Sequence, residues 1–224
     1  IKQVSEDNNA KAVIVRFDSP GGTTVGGEEI FLQLHALSKK KPVVGVMHTL
    51  CASACYMASL GTQHVFAREG TLTGSIGVLL QSMEVSRLAD KLGVTSVTVK
   101  SGAYKDVPSM TEPLTKDQRK VLMSLITDAY DRFLQMIVDR RKMDPETVRS
   151  LADGRVYTGA QAVKLQLIDA IGGNQEAIDW LVKQHKINPK LEIRDIVPEK
   201  EYDSLLDELT QSARIKIFGQ SAIK

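Results

Sequence analysis

The chain has 224 residues, 29 basic and 27 acidic, for a net charge of +2. At about 150 residues per domain this is one large domain, or one domain with an appendage. A composition of 42% hydrophobic and 25% charged residues excludes disorder, collagen and coiled coil as global descriptions. The near-neutral balance makes no case for a nucleic-acid partner, which needs a concentrated basic face. Two cysteines, Cys51 and Cys55, are too few for a disulfide framework or a four-ligand zinc site.

The chain opens at Ile1, with no Met and no apolar leader, and reads as a processed or partial chain whose targeting segment lies upstream. Ala12–Val15 is a β-branched run stopped by Asp18-Ser19-Pro20-Gly21-Gly22, the pattern of a strand running into a turn. Ile30, Phe31, Leu34 and Leu37 recur at helical spacing between Gly26 and Ser38. Val43–Met47 is a second buried strand, and the small residues of Ala52–Leu60 suit a closely packed helix. Pro42–Phe66 carries no charge and is long enough to span a bilayer. Its polar interruptions, His48, Thr49, Ser53, Ser59, Thr62, Gln63 and His64, favour strand, turn and helix instead.

Val65–Ala67 follows as a short strand, and glycine-punctuated Thr71–Val78 re-enters the sheet. A helix is expected over Glu84–Leu92 and a strand over Val94–Val99. Thr115 caps a long helix reaching about Met143, with an apolar stripe from Val121 to Val138 read first as intrachain core. Asp144-Pro145 starts another helix, Thr158 a short one, and Gln175–Lys186 a further one. Leu191–Ile193 is a candidate late strand and Tyr202–Ser212 a candidate helix. Strands alternating with helices give an α/β class. The expected organisation is one domain: residues 1–110 an α/β core, 111–200 a helical part and 201–224 a tail.

The turns carry the candidate chemistry. Gly21-Gly22, after a strand and before a helix, exposes backbone N–H groups that suit an anion or a developing oxyanion, as well as a plain turn. Ser53, in Cys51-Ala52-Ser53-Ala54-Cys55, follows a buried strand among small neighbours. It reads equally as a nucleophile or as a helix-capping serine. A nucleophile needs a base. His35 and His185 read as solvated surface residues, and His48 and His64 as polar residues at strand ends. Lys105, in Ser101-Gly102-Ala103-Tyr104-Lys105-Asp106, is the alternative, because burial disfavours an ammonium and frees its lone pair.

Asp18–Gly22, Ala52-Ser53, Thr71-Leu-Thr-Gly-Ser-Ile-Gly77 and Ser101–Asp106 together resemble, in order and spacing, the S49 peptidase family in its short, single-repeat signal peptide peptidase form. The resemblance extends through Gly154–Ala160 and Leu167-Ile168-Asp169. It implies a Clp protease/crotonase-like spiral of ββα units with a helical C-terminal arm. It also implies a serine endopeptidase in which Ser53 is the nucleophile, Lys105 the base and Ser75 the residue that orients the lysine amine. Gly22, with Gly21 as the adjacent candidate, and Ala54 would supply the oxyanion N–H groups. No metal or cofactor is implied.

Implied substrates are unstructured apolar peptides such as cleaved signal peptides. Implied surroundings are a homo-oligomer on the periplasmic side of the bacterial inner membrane, attached through an N-terminal segment absent from this chain. One departure stands out: Ala54-Cys55 replaces the Gly-Gly that the family commonly carries after the serine. Rival readings are a crotonase-like acyl-CoA enzyme, a Ser–His–Asp Clp-type protease and a non-catalytic membrane-associated peptide-binding scaffold. For the second, no histidine falls in Thr71–Val78.

Overall fold

The computed structural model describes residues 1–196. The chain divides at Pro189/Lys190 into two compact units. The first holds every described helix and strand. Residues 190–196 of the second form neither, contrary to the strand expected at Leu191–Ile193. The helix expected at Tyr202–Ser212 lies outside the described residues.

A short helix α1 (Lys2–Glu6) precedes strand β1 (Val13–Ser19), helix α2 (Thr24–Ser38) and strand β2 (Val43–Ala52). Lys41 Nζ donates to the carbonyl of Val4 at 2.8 Å and so ties α1 to the end of α2. Helix α3 (Ala54–Ser59), strand β3 (His64–Ala67) and strand β4 (Leu72–Gly74) follow. After them come α4 (Ser86–Lys91), α5 (Lys116–Arg141), α6 (Pro145–Leu151), β5 (Val156–Thr158), α7 (Gly159–Lys164), β6 (Ala170–Ile171) and α8 (Asn174–His185). The helix starts obey local chemistry. Thr115 and Thr158 each head a capping box, and the Asp144 carboxylate accepts from Thr147 N–H ahead of Pro145.

The six-stranded sheet is built on β2. Strand β1 runs parallel along one edge of β2, with Val13 opposite Val43 and Ser19 opposite Cys51. The other edge is shared: β3 pairs with Val44–Met47 and β4 with Leu50–Ala52. Strand β6 extends the sheet from β3 in parallel, and β5 closes the β4 side antiparallel. Alternate residues of β2 serve two cores. Val43 and Met47 join Phe31, Leu34, Tyr56, Phe133 and Ile137 on one face. Val44 and Val46 pack with Phe66, Ala177 and Leu181 on the other. Burial of both faces is why Val43–Met47 reads as an unbroken apolar run.

Three expectations change. Val94–Val99 is not a strand: these residues are exposed, Val99 at 97%, with no sheet edge beside them to supply ladder hydrogen bonds. The apolar stripe of α5 is only half intrachain core. Phe133, Leu134 and Ile137 are buried, while Val121 and Leu125 are exposed. Strand β2 runs on to Ala52, because β4 pairs with its Leu50–Ala52 end.

Helix α3 lies close against α2 because glycines remove side-chain thickness there. A Cβ at Gly61 would fall 2.6 Å from the Phe31 carbonyl oxygen and 2.8 Å from Leu34 Cβ. Gly61→Ala is therefore expected to push α2 outward and to lower unfolding free energy by about 1–3 kcal/mol, read from urea denaturation.

Candidate active site

Ser53 stands at the junction of β2 and α3 with φ 55° and ψ −120°. A non-glycine residue in so sparsely populated a region costs about 1–3 kcal/mol and persists only where its surroundings over-determine it. Here they do. Ser53 N–H donates to the Gly74 carbonyl at 2.8 Å, and its own carbonyl accepts from Met57 N–H at 3.0 Å to start the helix. Gly21, itself at φ 125°, presses its backbone on the other side: a Cβ there would lie 3.0 Å from Ser53 Cβ and 3.4 Å from Ala54 N. Gly21 is thus glycine for two reasons, its backbone angle and the missing space. Ser19 Oγ accepts from Gly21 N–H at 3.2 Å and holds the turn in place.

The next strand brings Ser75 alongside. Gly74, whose carbonyl anchors Ser53, precedes Ser75, which also has a positive φ of 49° and donates its N–H to the Arg155 carbonyl at 2.8 Å. Gly74 cannot carry a side chain, because a Cβ would sit 2.6 Å from the Tyr157 ring. Ala54 is the first residue of α3, where a backbone N–H has no intrahelical partner. Gly22 faces open space, with nothing within 4 Å of a Cβ built on it. The fold therefore gathers Ser53, Ser75, Gly21, Gly22 and Ala54 around the ends of β1, β2 and β4.

Lys105 comes from the segment between α4 and α5. It is exposed, on a loop whose N–H of Lys105 donates to the Gly102 carbonyl at 3.1 Å, and its side chain makes no hydrogen bond or ion pair among the described residues. The loop itself is braced. Lys100 Nζ bridges Asp106 at 2.9 Å and Glu112 at 3.1 Å. Hydrogen bonds to those carboxylates raise the Lys100 pKa and make it a committed cation rather than a base. The segment 79–114 contains no buried residue at all.

Cys51 and Cys55 lie two positions either side of Ser53. They are buried, and they are joined to each other by a disulfide with Cα atoms 5.1 Å apart. This bridge encloses Ser53. Its only sequence signal was the Cys-x-x-x-Cys spacing. The histidines take other roles. His35 and His185 are half-buried rather than solvated, stacked on Phe31 and packed against Trp180. His48 is exposed within β2, and His64 packs between Phe66 and Trp180. A cleft of about 510 Å³ lined by Val46, His48, Thr49, Arg68, Thr71 and Gln175 excludes both Ser53 and Lys105. Among the described residues no cluster of His, Cys, Asp or Glu could hold a metal.

This chain belongs to peptidase family S49, whose family model matches residues 35–188. A protein of Synechocystis sp. named for protease activity is 38% identical over 87% of this chain and 71% of its own length. An Enterococcus faecium protein named as a signal peptide peptidase is 39% identical over 84% of this chain. This chain spans only 55% of that relative. Among solved structures, a point mutant of ClpP1 from Listeria monocytogenes aligns with a TM-score of 0.50 at 15% identity, covering 78% of this chain and 85% of its own. The fold is thus the α/β, Clp-like spiral of S49 proteases.

Burial lowers the pKa of His64 below its ordinary value, with Asp169 opposing and Arg141 assisting. The unfolded chain then takes up this proton first. The stability it carries is complete above the unfolded pKa of 6.5 and is lost as pH falls toward the lower folded value. In His64→Phe, unfolding free energy measured by urea titration is expected to fall less between pH 7 and pH 5 than in the wild type.

Proposed function

We propose that this chain is a serine endopeptidase of Ser–Lys type, acting on unstructured, apolar peptides such as cleaved signal peptides. The observation that carries the reading is the backbone of Ser53: a strained serine at a strand-to-helix turn, held by Gly21 and Gly74, with a helix-leading N–H beside it. Such strain marks functional turns. Family S49 membership supports peptide hydrolysis over an acyl-CoA reaction.

In this mechanism neutral Lys105 accepts the Ser53 hydroxyl proton as Oγ attacks the scissile carbonyl. Ser75 orients the lysine amine. The N–H groups of Gly22, or of Gly21 beside it, and of Ala54 meet the oxyanion, one good donor contributing about 3 kcal/mol. Lys105 then protonates the leaving amine, and water activated by the same amine releases the acyl group. An extended substrate adds as a strand beside the turn, with side-chain pockets at alternate positions.

This reading calls for a surface that covers the exposed Lys105 beside Ser53. The segment 79–114 and the start of α5 supply the reason for one. Leu79, Val97 and Val99 are 80%, 84% and 97% exposed, and Met123 and Leu125 extend the apolar surface. A second copy of this chain is the proposed cover, making the protein a homo-oligomer. Among the described residues no helix is long and apolar enough to cross a membrane. Attachment through a segment upstream, on the periplasmic side of a bacterial inner membrane, is part of the same proposal, and a disulfide suits that oxidising compartment.

Lys105, exposed and without a side-chain partner among the described residues, favours one second reading, a peptide-binding scaffold without turnover. Hydrolysis of an apolar fluorogenic peptide separates the two. Ser53→Ala is expected to abolish turnover, and Lys105→Ala to lower kcat at least about a hundredfold while peptide binding persists. Turnover that survives both substitutions removes the Ser–Lys assignment, and binding without turnover in the wild type favours the scaffold. Leu79→Glu with Val99→Glu is expected to shift the particle mass in light scattering to that of a monomer and to lower kcat with it. An unchanged mass places the assembly surface elsewhere.

A further inference from the structure

We propose that the Cys51–Cys55 disulfide is a positioning clamp for Ser53, and that peptide hydrolysis belongs to the oxidised protein. The inference rests on the reading of Ser53 as nucleophile. The bridge joins the last turn-facing part of β2 to the first turn of α3 and closes a five-residue ring whose middle member is Ser53. Each anchor is itself fixed. Cys51 is fully buried, and its carbonyl accepts from Thr73 Oγ1 at 2.7 Å. Cys55 is 7% exposed and follows Ala54 into the core beside Tyr56. The ring therefore spans a residue whose backbone sits in a sparsely populated conformation, and both of its ends are set in packed core.

A ring this short returns little as a general staple, since the loop-closure entropy removed from the unfolded chain grows with loop length. Its effect is local. The Ser53 φ and ψ are otherwise held by single contacts: the hydrogen bond to Gly74, the first helical bond to Met57 and the pressure of Gly21. Ala54 and Cys55 already lie in α3, so the covalent tie holds Ser53 between the last residues of β2 and the first turn of the helix. Opening it requires a thiol reductant. A dithiol attacks one sulfur, forms a mixed disulfide and closes to its own cyclic disulfide. It transfers two electrons, and Cys51 and Cys55 each leave with a proton. Burial of both sulfurs makes that exchange slow, as befits a permanent clamp.

The experiment compares the full chain before and after dithiothreitol, with thiol titration confirming that two thiols have appeared. Two quantities are read: kcat and KM on an apolar fluorogenic peptide, and hydrogen exchange of the Ser53 amide. The clamp predicts that reduction lowers kcat about tenfold or more with KM within about twofold, the scale on which small misplacement of reacting groups acts. It also predicts faster exchange at Ser53 and recovery of both on reoxidation. A C51A/C55A variant should match the reduced wild type and ignore the reductant. Unchanged kcat and unchanged Ser53 exchange with both thiols open overturn the clamp. A protein that cleaves nothing in either state, while Ser53 still gains exchange on reduction, counts against Ser53 as nucleophile and supports the clamp. Equal loss of kcat in C51A/C55A with native-like Ser53 exchange overturns it in favour of a packing role.

Discussion

Everything at the candidate site depends on one backbone reversal, the positive-φ Ser53 between β2 and α3. An L-residue does not adopt it unaided. Strand β4 must arrive at the second half of β2 so that the Gly74 carbonyl meets Ser53 N–H, and β1 must end beside Cys51 so that Gly21 can close over Ser53. The parallel pairing of three strands is thus what builds the turn. The turn in turn places Ala54, the first residue of α3, directly after the serine.

The supporting packing is thin in the direction of the site and thick behind it. Behind, Tyr56 is fully buried, its hydroxyl donating to the Leu167 carbonyl at 2.9 Å, and burial holds its phenol well above the ordinary range. Phe133 and Ile137 of α5 complete that wall. Glycines 27, 61 and 74 let backbones approach where a methyl group would collide. In front lie Gly21 and Gly22, with open space around Gly22.

That asymmetry has a functional sense. A nucleophile turn must be rigid, whereas a base carried on a lysine has to change environment between a solvated cation and a buried amine. Ser53 is locked by hydrogen bonds, close backbone contact and a covalent ring. Lys105 sits on a loop braced by Lys100 with Asp106 and Glu112, yet remains open to whatever surface comes over it. This contrast matters only under the proposed Ser–Lys mechanism, for which family S49 membership supplies the peptide-hydrolysis context.

The parts of this protein legible in its sequence are those set by near neighbours. The apolar runs at Val13–Val15 and Val43–Met47, the helical spacing of Phe31, Leu34 and Leu37, and the caps at Thr115, Asp144 and Thr158 act within a turn or a strand, and they form where they were expected. The turn motifs marked Ser53 and Gly22 with Gly21 beside it, and the family resemblance marked Ser75; the strands bring Ser53, Ser75 and Gly21 together. Contacts between distant residues decided the rest. Val94–Val99 has strand-like composition but no edge to pair with, and the front half of the α5 stripe meets no core. The extension of β2, the antiparallel β5 and the sign of φ at Ser53 all follow from strands far apart in the chain. The Cys51–Cys55 bond arises because a strand-to-helix reversal, unlike either element alone, brings those two Cα atoms to 5.1 Å. Local periodicity carries no information about that distance, so only the folded chain could set it.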